Sequence, residues 1–492
     1  MAYGKSREIE VNYYFCIMRK VFISILTLLL ACGAALQAKV KLPSFFSDNM
    51  VLQQSADVAV WGSTDKGRKV TVAPSWTKKK FSAMPGQDGK WSLRIPTPEA
   101  GGPYSITFND GDKTTIGNVL IGEVWFCSGQ SNMEMPMVGF GSQPVEGAAE
   151  FIIGAKASRS IRMCTIRKKA SCVPLEESEG SWQENTPEAV AGTSAVAYFF
   201  ALRLQETLDV PVGLLISDWG GTPIEAWMNR ETIENNFAEE FDLSYLNSGN
   251  LPDKPQKKPC TLFNGQVAPL VPFTFKGMLW YQGEDNRKRA EQYSRLQPAY
   301  VQMMRELFRN PDAPFFFVQI APYKYSDPDK FSNGYFYEMQ EKTLSLIPNS
   351  GMAATVDIGE LGTIHPCKKK EVGDRLALLA LTKTYCIKGI EAESPSYNSV
   401  SFSDGKAMVR FNVGPFGLSP MGRDLQGFEL AGEDGVFHKA SGRVSKKEFV
   451  IVSSPEVPEP VAVRYCWRNW GVGTLYNCFG IPALPFRTDD WQ

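Results

Sequence analysis

Residues 119–131 read VLIGEVWFCSGQS and contain the transition that decides the fold. Residues 119–127 form a largely apolar run with the length and composition of a buried β-strand. Gly129 and Ser131 follow this run, and a small residue at a strand end lets the backbone turn sharply and expose a hydroxyl group. The stretch therefore predicts a strand that ends in a loop carrying a nucleophile, Ser131.

The pattern downstream of this strand alternates between apolar strands and stretches of helical periodicity. Strands are predicted at 212–217, 277–281 and 315–320, and helices at 195–202, 293–307 and 368–381. This alternation indicates an α/β domain over residues 118–392, with a parallel sheet that has helices on both faces. Ligands in such sheets bind at the carboxyl ends of the strands. The polar, turn-rich segment 229–262 is predicted to be an insertion or a long loop.

The two flanks of this domain have a different pattern, in which short alternating runs are broken by turn residues. Residues 39–117 contain such runs at 58–62, 69–72 and 91–96, and they predict an N-terminal β domain. Residues 393–492 contain runs at 407–411 and 449–452, and they predict a C-terminal β region.

The chain has two histidines, His365 and His438, and a hydrolase that works near neutral pH usually needs one as its proton carrier. His365 follows the apolar run 352–356 and precedes a predicted helix, a position at which loops of α/β enzymes carry catalytic residues. His438 lies in the C-terminal β region, far in sequence from any candidate nucleophile. We therefore predict that His365 is the functional histidine.

Two further strand ends offer groups that suit acyl transfer. Gly220 and Gly221 follow the strand at 212–217, and their unobstructed amides can point at a developing oxyanion, although in isolation a tight strand-to-helix turn explains them better. Gln282 follows the strand at 277–281 and can donate a side-chain N–H to an oxyanion, while Glu284 can brace the site through hydrogen bonds.

These loops carry four motifs: GQSNM at 129–133, GGTPIEAW at 220–227, WYQGEDN at 280–286 and IHP at 364–366. In this order and at these separations they resemble the sialate O-acetylesterase family of the SGNH hydrolases. The resemblance implies an SGNH-hydrolase-like fold and a serine esterase that removes acetyl groups from sugar hydroxyls. It further implies that Ser131 is the nucleophile, that His365 carries the proton, and that the oxyanion is held by the amides of Ser131 and of Gly220 or Gly221 with the Gln282 side chain. It implies no metal or organic cofactor.

The sequence departs from the SGNH pattern at the residue that orients the histidine. Many such enzymes carry an aspartate two or three residues before the histidine, where this chain has Thr363 and Gly362. Asp357 or Glu360 would have to fold back to replace it, whereas a backbone carbonyl can also fix the imidazole tautomer. We favour the carbonyl.

The N-terminus has the layout of an export signal. Arg19 and Lys20 precede an apolar run at 21–30 that is too short to span a bilayer, and small residues follow through position 38. We predict that residues 1–38 are a signal peptide, with Met18 as an alternative start, and that the mature chain is periplasmic or on the cell surface. A soluble form is the default prediction, and a lipid anchor on Cys32, within a lipoprotein-like LLACG sequence, is the alternative.

Net charge and the distribution of basic residues limit the classes of molecule that the protein is expected to bind. The formal net charge of −1 and the lack of a lysine and arginine cluster of the kind that follows a phosphate backbone argue against nucleic acid. The leading prediction is an esterase acting on O-acetylated sialic acids, and the alternatives are an esterase for acetylated xylan or another plant glycan and a glycan-binding surface protein without turnover. The pairs Cys164/Cys172 and Cys466/Cys478 are close enough in sequence to be bridged in an oxidising compartment.

Overall fold

The computed structural model describes residues 40–65 and 67–491. The predicted signal peptide, the alternative start at Met18 and the candidate lipid anchor at Cys32 lie outside the described residues.

The described residues form 23 strands and nine α-helices. The strands are β1 Val51–Gln53, β2 Asp57–Ser63, β3 Val70–Pro74, β4 Phe81–Ala83, β5 Lys90–Pro96, β6 Gly101–Asn109, β7 Lys113–Gly129, β8 Ile161–Thr165, β9 Trp182–Glu184, β10 Val212–Asp218, β11 Gly277–Tyr281, β12 Phe315–Val318, β13 Ser350–Ala353, β14 Ser396–Ser403, β15 Lys406–Asn412, β16 Leu418–Ser419, β17 Phe428–Ala431, β18 His438–Lys439, β19 Ser441–Lys446, β20 Phe449–Ser453, β21 Ala462–Tyr465, β22 Tyr476–Asn477 and β23 Phe486–Arg487. The helices are α1 Ser131–Glu134, α2 Ala148–Ile153, α3 Pro187–Gly192, α4 Ala195–Leu208, α5 Arg230–Phe237, α6 Ser244–Ser248, α7 Ala290–Leu307, α8 Ser332–Leu346 and α9 Lys369–Leu379.

The central sheet has the strand order β13-β12-β11-β7-β10-β8-β9. Every neighbouring pair from β13 to β8 is parallel, and β9 alone runs antiparallel, on the outer side of β8. The carboxyl ends of β7, β10 and β11 are level, because Gly129 pairs with both Asp218 and Tyr281. The loops that follow these three strands therefore emerge together.

Helices pack on both faces of this sheet, as predicted. Neighbouring residues of a strand point to opposite faces. On one face the ring of Trp125 in β7 lies edge-on to Phe200 of α4, at 4.9 Å between centroids. On the other face Trp280 of β11 contacts Tyr300 of α7, at 4.6 Å. The aromatic and aliphatic side chains that make these strands near-continuously apolar are thus buried on both sides.

The chain divides into two compact units. The first includes Trp61–Leu93 and Ile106–Thr115, where β3 pairs antiparallel with β4 and β6. The second consists of Pro43–Val60, Arg94–Ser105 and the described chain from Ile116 onward. The predicted domain boundary at 117 falls inside β7, a single strand of 17 residues.

The C-terminal residues form the predicted β region, which contains two four-stranded sheets of order β14-β15-β20-β19 and β18-β17-β21-β23. The segment 229–262, predicted as an insertion or loop, instead contains helices α5 and α6. Asn229 caps α5 by accepting a hydrogen bond from the Thr232 N–H. An N-cap residue is a local signal for the start of a helix, but the polar composition of the segment favoured a loop instead.

All eight cysteines in the described part of the chain are free thiols, so neither Cys164/Cys172 nor Cys466/Cys478 is bridged. Among the same residues, no helix is long and apolar enough to cross a bilayer.

Candidate active site

The loops after β7, β10 and β11 are tied together at their first residues. Gln130 donates its N–H to the Tyr281 carbonyl at 3.0 Å, and Trp219 donates its N–H to the Gly129 carbonyl at 3.1 Å. Gly129 has φ of +149°, and a Cβ there would lie 2.2 Å from the Tyr281 oxygen. Only glycine fits this position, and the strand ends can therefore approach closely enough to place Ser131 between them.

Ser131 and His365 are in direct contact. Ser131 is the first residue of α1, and His365 lies in the loop between β13 and α9. The Ser131 Oγ and the His365 Nε2 are 2.8 Å apart, which is hydrogen-bond distance for a nucleophile and its general base. The two residues are 234 positions apart in sequence, and the parallel sheet brings them to one edge.

Gln143 is the hydrogen-bond partner of the other imidazole nitrogen. Its Oε1 lies 2.6 Å from His365 Nδ1. Gln143 belongs to a tight turn closed by two backbone hydrogen bonds between Phe140 and Gln143, and the Phe140 ring lies edge-on to the imidazole at 5.4 Å. An amide oxygen accepts only, so this contact places the proton on Nδ1 and leaves the Nε2 lone pair facing the serine hydroxyl.

The groups expected to orient His365 lie elsewhere. Asp357 forms a two-pronged ion pair with Arg375, at 2.9 and 2.6 Å. Glu360 accepts the Cys367 N–H at 2.6 Å. A buried arginine and an unpaired backbone N–H each require an acceptor, and these two carboxylates fill those needs. The expected backbone carbonyl is likewise replaced by the Gln143 amide.

The imidazole is held in its neutral form. The pKa of His365 is lowered to about 4, first by burial and then by the positive charge of Lys369, while Glu134 acts in the opposite direction. Gln143 carries no charge, so it does not raise this pKa as an aspartate in its place would.

The Gly220 amide lies against the nucleophile but already has a partner. A Cβ on Gly220 would meet Ser131 Cβ at 3.2 Å, and its N–H is donated to Glu134 Oε2 at 2.5 Å. Glu134 also forms an ion pair with Lys168. The same carboxylate, after burial, helps to raise the pKa of Asp218 to about 7. Gly221, by contrast, has φ of +67° and open space around the position of a Cβ.

Gln282 is fully buried and does not present an amide hydrogen to Ser131. Its Nε2 donates to the Thr222 carbonyl at 3.0 Å and to Asn286 Oδ1 at 2.7 Å. Both hydrogens of the amide are therefore used, and the bond to Thr222 holds the loop that contains Gly220 and Gly221 against the loop after β11. The expected direct role in an oxyanion hole has no support in this geometry.

Glu284 is buried and contacts Asn132, the residue that follows Ser131. Its Oε1 accepts a hydrogen bond from Asn132 Nδ2 at 2.6 Å, and burial raises its pKa. Glu284 is therefore hydrogen-bonded to the residue that follows Ser131.

The second histidine of the chain lies outside the site. His438 contacts Glu456 in the C-terminal β region. No group of three or more His, Cys, Asp or Glu side chains in the described chain is arranged to hold a metal ion.

Sequence reasoning missed the contributions of Gln143, Glu134 and Asn132. The glycine-rich stretch 139–143, close behind the GQSNM motif, was the available signal for a tight turn near the nucleophile. Nothing in the sequence indicated that this turn faces His365, because the contact joins positions 222 residues apart.

Comparisons with known proteins identify the family of the chain. Residues 121–381, more than half of the chain, match the family model described as carbohydrate esterase, sialic acid-specific acetylesterase. Proteins named sialate O-acetylesterase from Homo sapiens and Pongo abelii are each 27% identical over 487 residues, which cover 90% of this chain and 91% of the relative. The crystal structure of a carbohydrate acetylesterase from Xanthomonas citri is 33% identical, covers 92% of this chain and all of that one, and superposes with a TM-score of 0.82. The chain therefore belongs to the family of carbohydrate esterases described as sialic acid-specific acetylesterases.

Proposed function

We propose that the protein is an SGNH-type serine esterase that removes O-acetyl groups from sugars, with O-acetylated sialic acids as the leading substrates. The observation that carries this proposal is the 2.8 Å contact between Ser131 Oγ and His365 Nε2 at the carboxyl edge of a parallel sheet. The names of the relatives support the choice of substrate.

The reaction proceeds through an acetyl-enzyme. Ser131 Oγ attacks the acetyl carbonyl carbon while His365 Nε2 accepts the hydroxyl proton. The tetrahedral intermediate collapses, the sugar oxygen leaves, and the imidazolium returns the proton to it. Water then attacks the acetyl-enzyme with His365 again as the base, and Ser131 is released together with acetate.

Gln143 takes the place of the third catalytic member in this proposal. Its Oε1 fixes the tautomer in which Nε2 is the base. A neutral amide stabilises the imidazolium less than a carboxylate does, so the enzyme works with a more weakly basic histidine. A pKa of about 4 for His365 fits this arrangement, because the imidazole then stays neutral at ordinary pH.

The backbone N–H groups of Ser131 and Gly221 are our candidates for the oxyanion hole. Ser131 is the first residue of a helix, so its N–H has no intrahelical partner. Within the described residues no hydrogen bond occupies the Gly221 N–H either, whereas the Gly220 N–H is held by Glu134. Gln282 supports this hole indirectly, through its bond to the Thr222 carbonyl.

We also propose that the protein is exported, and this part of the proposal rests on the sequence alone. The charged, apolar and small-residue order within positions 19–38 supports a signal peptide and a periplasmic or cell-surface enzyme, soluble by default and alternatively lipid-anchored at Cys32.

Acetate release from O-acetylated sialic acid and from acetylated xylan, measured side by side, tests the function, with Ser131→Ala as the control. Release from the sialic acid alone, lost in the variant, would support both chemistry and substrate. Release mainly from xylan would keep the mechanism and reject the sialate substrate. Absence of Ser131-dependent release from both sugars and from a small aryl acetate would favour a glycan-binding protein instead.

A further inference from the structure

A buried cation lies beneath the two catalytic residues. Lys369, the first residue of α9, is 1% exposed. Its Nζ donates to Asn132 Oδ1 at 2.5 Å and lies 5.5 Å from the centre of the Tyr281 ring. Lysine is almost never fully buried unless it is paired, because removing an ammonium group from water is costly. A lysine in this position therefore requires an explanation.

Asn132, which Lys369 contacts, joins three loops of the site. It follows Ser131 directly and is fully buried. Its Nδ2 donates to Glu284 Oε1 at 2.6 Å and to the carbonyl of Ile364 at 3.1 Å. Ile364 immediately precedes His365, so the side-chain amide of Asn132 links α1 to the loop that contains His365.

Lys369 supplies the hydrogen-bond donor for the oxygen of this amide. An ammonium group can only donate, so the oxygen of Asn132 must face it and the nitrogen must face the two acceptors. If Lys369 is removed, Glu284 and Ile364 still accept from the nitrogen, but the buried oxygen of Asn132 loses its donor, and we expect the amide to shift in order to regain one. The spacing between Ser131 and His365 therefore depends on a residue that touches neither of them by hydrogen bond.

The charge of Lys369 also acts on the imidazole. It is the second cause, after burial, of the low pKa of His365, while Glu134 opposes it. The other groups that contact the ring, Gln143 and Phe140, are uncharged. Burial lowers the pKa of Lys369 itself to about 7, and Glu284 is the largest influence in the opposite direction.

Building on the proposed esterase function, we propose that Lys369 is a positioning residue of the reaction: its ammonium group fixes Asn132, which sets the approach of Ser131 to His365, and its charge opposes protonation of the imidazole.

Three variants test this inference with a small aryl acetate, a substrate that does not depend on sugar recognition. Lys369→Met removes both the donor and the charge. We expect kcat to fall by about tenfold or more with KM changed less than about threefold, because positioning acts on the chemical step. We expect the acid midpoint of the kcat/KM profile to rise by about 0.5–1 pH unit, because a nearby positive charge is lost.

Lys369→Gln separates the two effects, since an amide can still donate to Asn132 Oδ1 without carrying charge. It should keep more of kcat than Lys369→Met and show the same rise of the acid midpoint. This variant also provides the test if Lys369→Met does not fold. Lys370→Met is the matched control, because the neighbouring lysine is partly exposed and pairs with Asp374.

The inference is overturned if folded Lys369→Met, or Lys369→Gln in its place, keeps the wild-type acid midpoint, even when its melting temperature falls. It is also overturned if Lys370→Met gives the same changes. Absence of Ser131-dependent hydrolysis in the wild-type protein would instead reject the proposed function, and the two failures are thereby distinguished.

Discussion

Replacing Gln143 with glutamate should convert the uncharged partner of His365 into a carboxylate without altering the tautomer. The introduced carboxylate would accept the same Nδ1 proton that the Gln143 amide oxygen accepts at 2.6 Å. The expected result of Gln143→Glu is a rise in the pKa of His365 from its value of about 4. Activity requires neutral imidazole, so the loss of activity on acidification should move to higher pH.

The size of the shift follows from the charge separation. At about 4 Å and an effective dielectric constant of about 20, opposite unit charges attract by about 4 kcal/mol, or roughly 3 pKa units. Both side chains are partly exposed, so solvent screening reduces this to about 1–2 units. The acid midpoint of kcat/KM should therefore lie near pH 5–6. A more basic imidazole is also a better proton acceptor, so the plateau rate should rise by about three- to tenfold.

The assay is hydrolysis of a small aryl acetate between pH 4 and 9 by the wild-type protein and Gln143→Glu. The control is Gln183→Glu, which makes the same chemical change at an exposed residue of β9, at the edge of the central sheet. An acid midpoint that stays in place or moves to lower pH in Gln143→Glu would refute the reasoning, because it would mean that Gln143 does not face Nδ1 in solution.

Three further outcomes are expected. Gly220→Ala places a methyl group 3.2 Å from Ser131 Cβ, so kcat should fall by about tenfold or more while the melting temperature changes little; unchanged kcat would contradict this packing. Arg375→Met leaves the buried carboxylate of Asp357 without its cation, and urea titration should show a loss of about 3–5 kcal/mol in the free energy of unfolding, which a loss below about 1 kcal/mol would contradict. Burial raises the pKa of Glu341 to about 7, so its contribution to stability is fully present below its unfolded pKa and is lost as pH rises through the folded value. Glu341→Gln should therefore gain about 1–2 kcal/mol over the wild type between pH 5 and 8, and a difference that does not change with pH would exclude this linkage.

The proposed catalytic pair was predictable because each member carries a local signal. Ser131 follows an apolar strand and a glycine, and His365 is one of two histidines in the chain. The candidate oxyanion residues were less predictable. Gly220 and Gln282 lie at the expected strand ends, yet their N–H groups are donated to protein acceptors. The sequence does not reveal whether such an N–H group binds a protein acceptor or stays available to a substrate.

The sequence by itself determined the positions of strands and helices, through the spacing of its apolar residues. Runs at 212–217 and 277–281 became β10 and β11, and the helical period at 293–307 became α7, because burial on one or two faces is encoded locally. It also determined the chemistry of the serine and the histidine through residue type.

Only the tertiary structure decided the partners of these residues. The choice of Gln143 over Asp357, Glu360 or a backbone carbonyl, and the placement of Lys369 under Asn132, depend on loops that are far apart in sequence. Their meeting follows from the strand order of the sheet and from competition among buried polar groups, each of which must find a partner. Which partner each buried group obtains depends on which groups lie close to it in three dimensions, and no local sequence pattern contains that information.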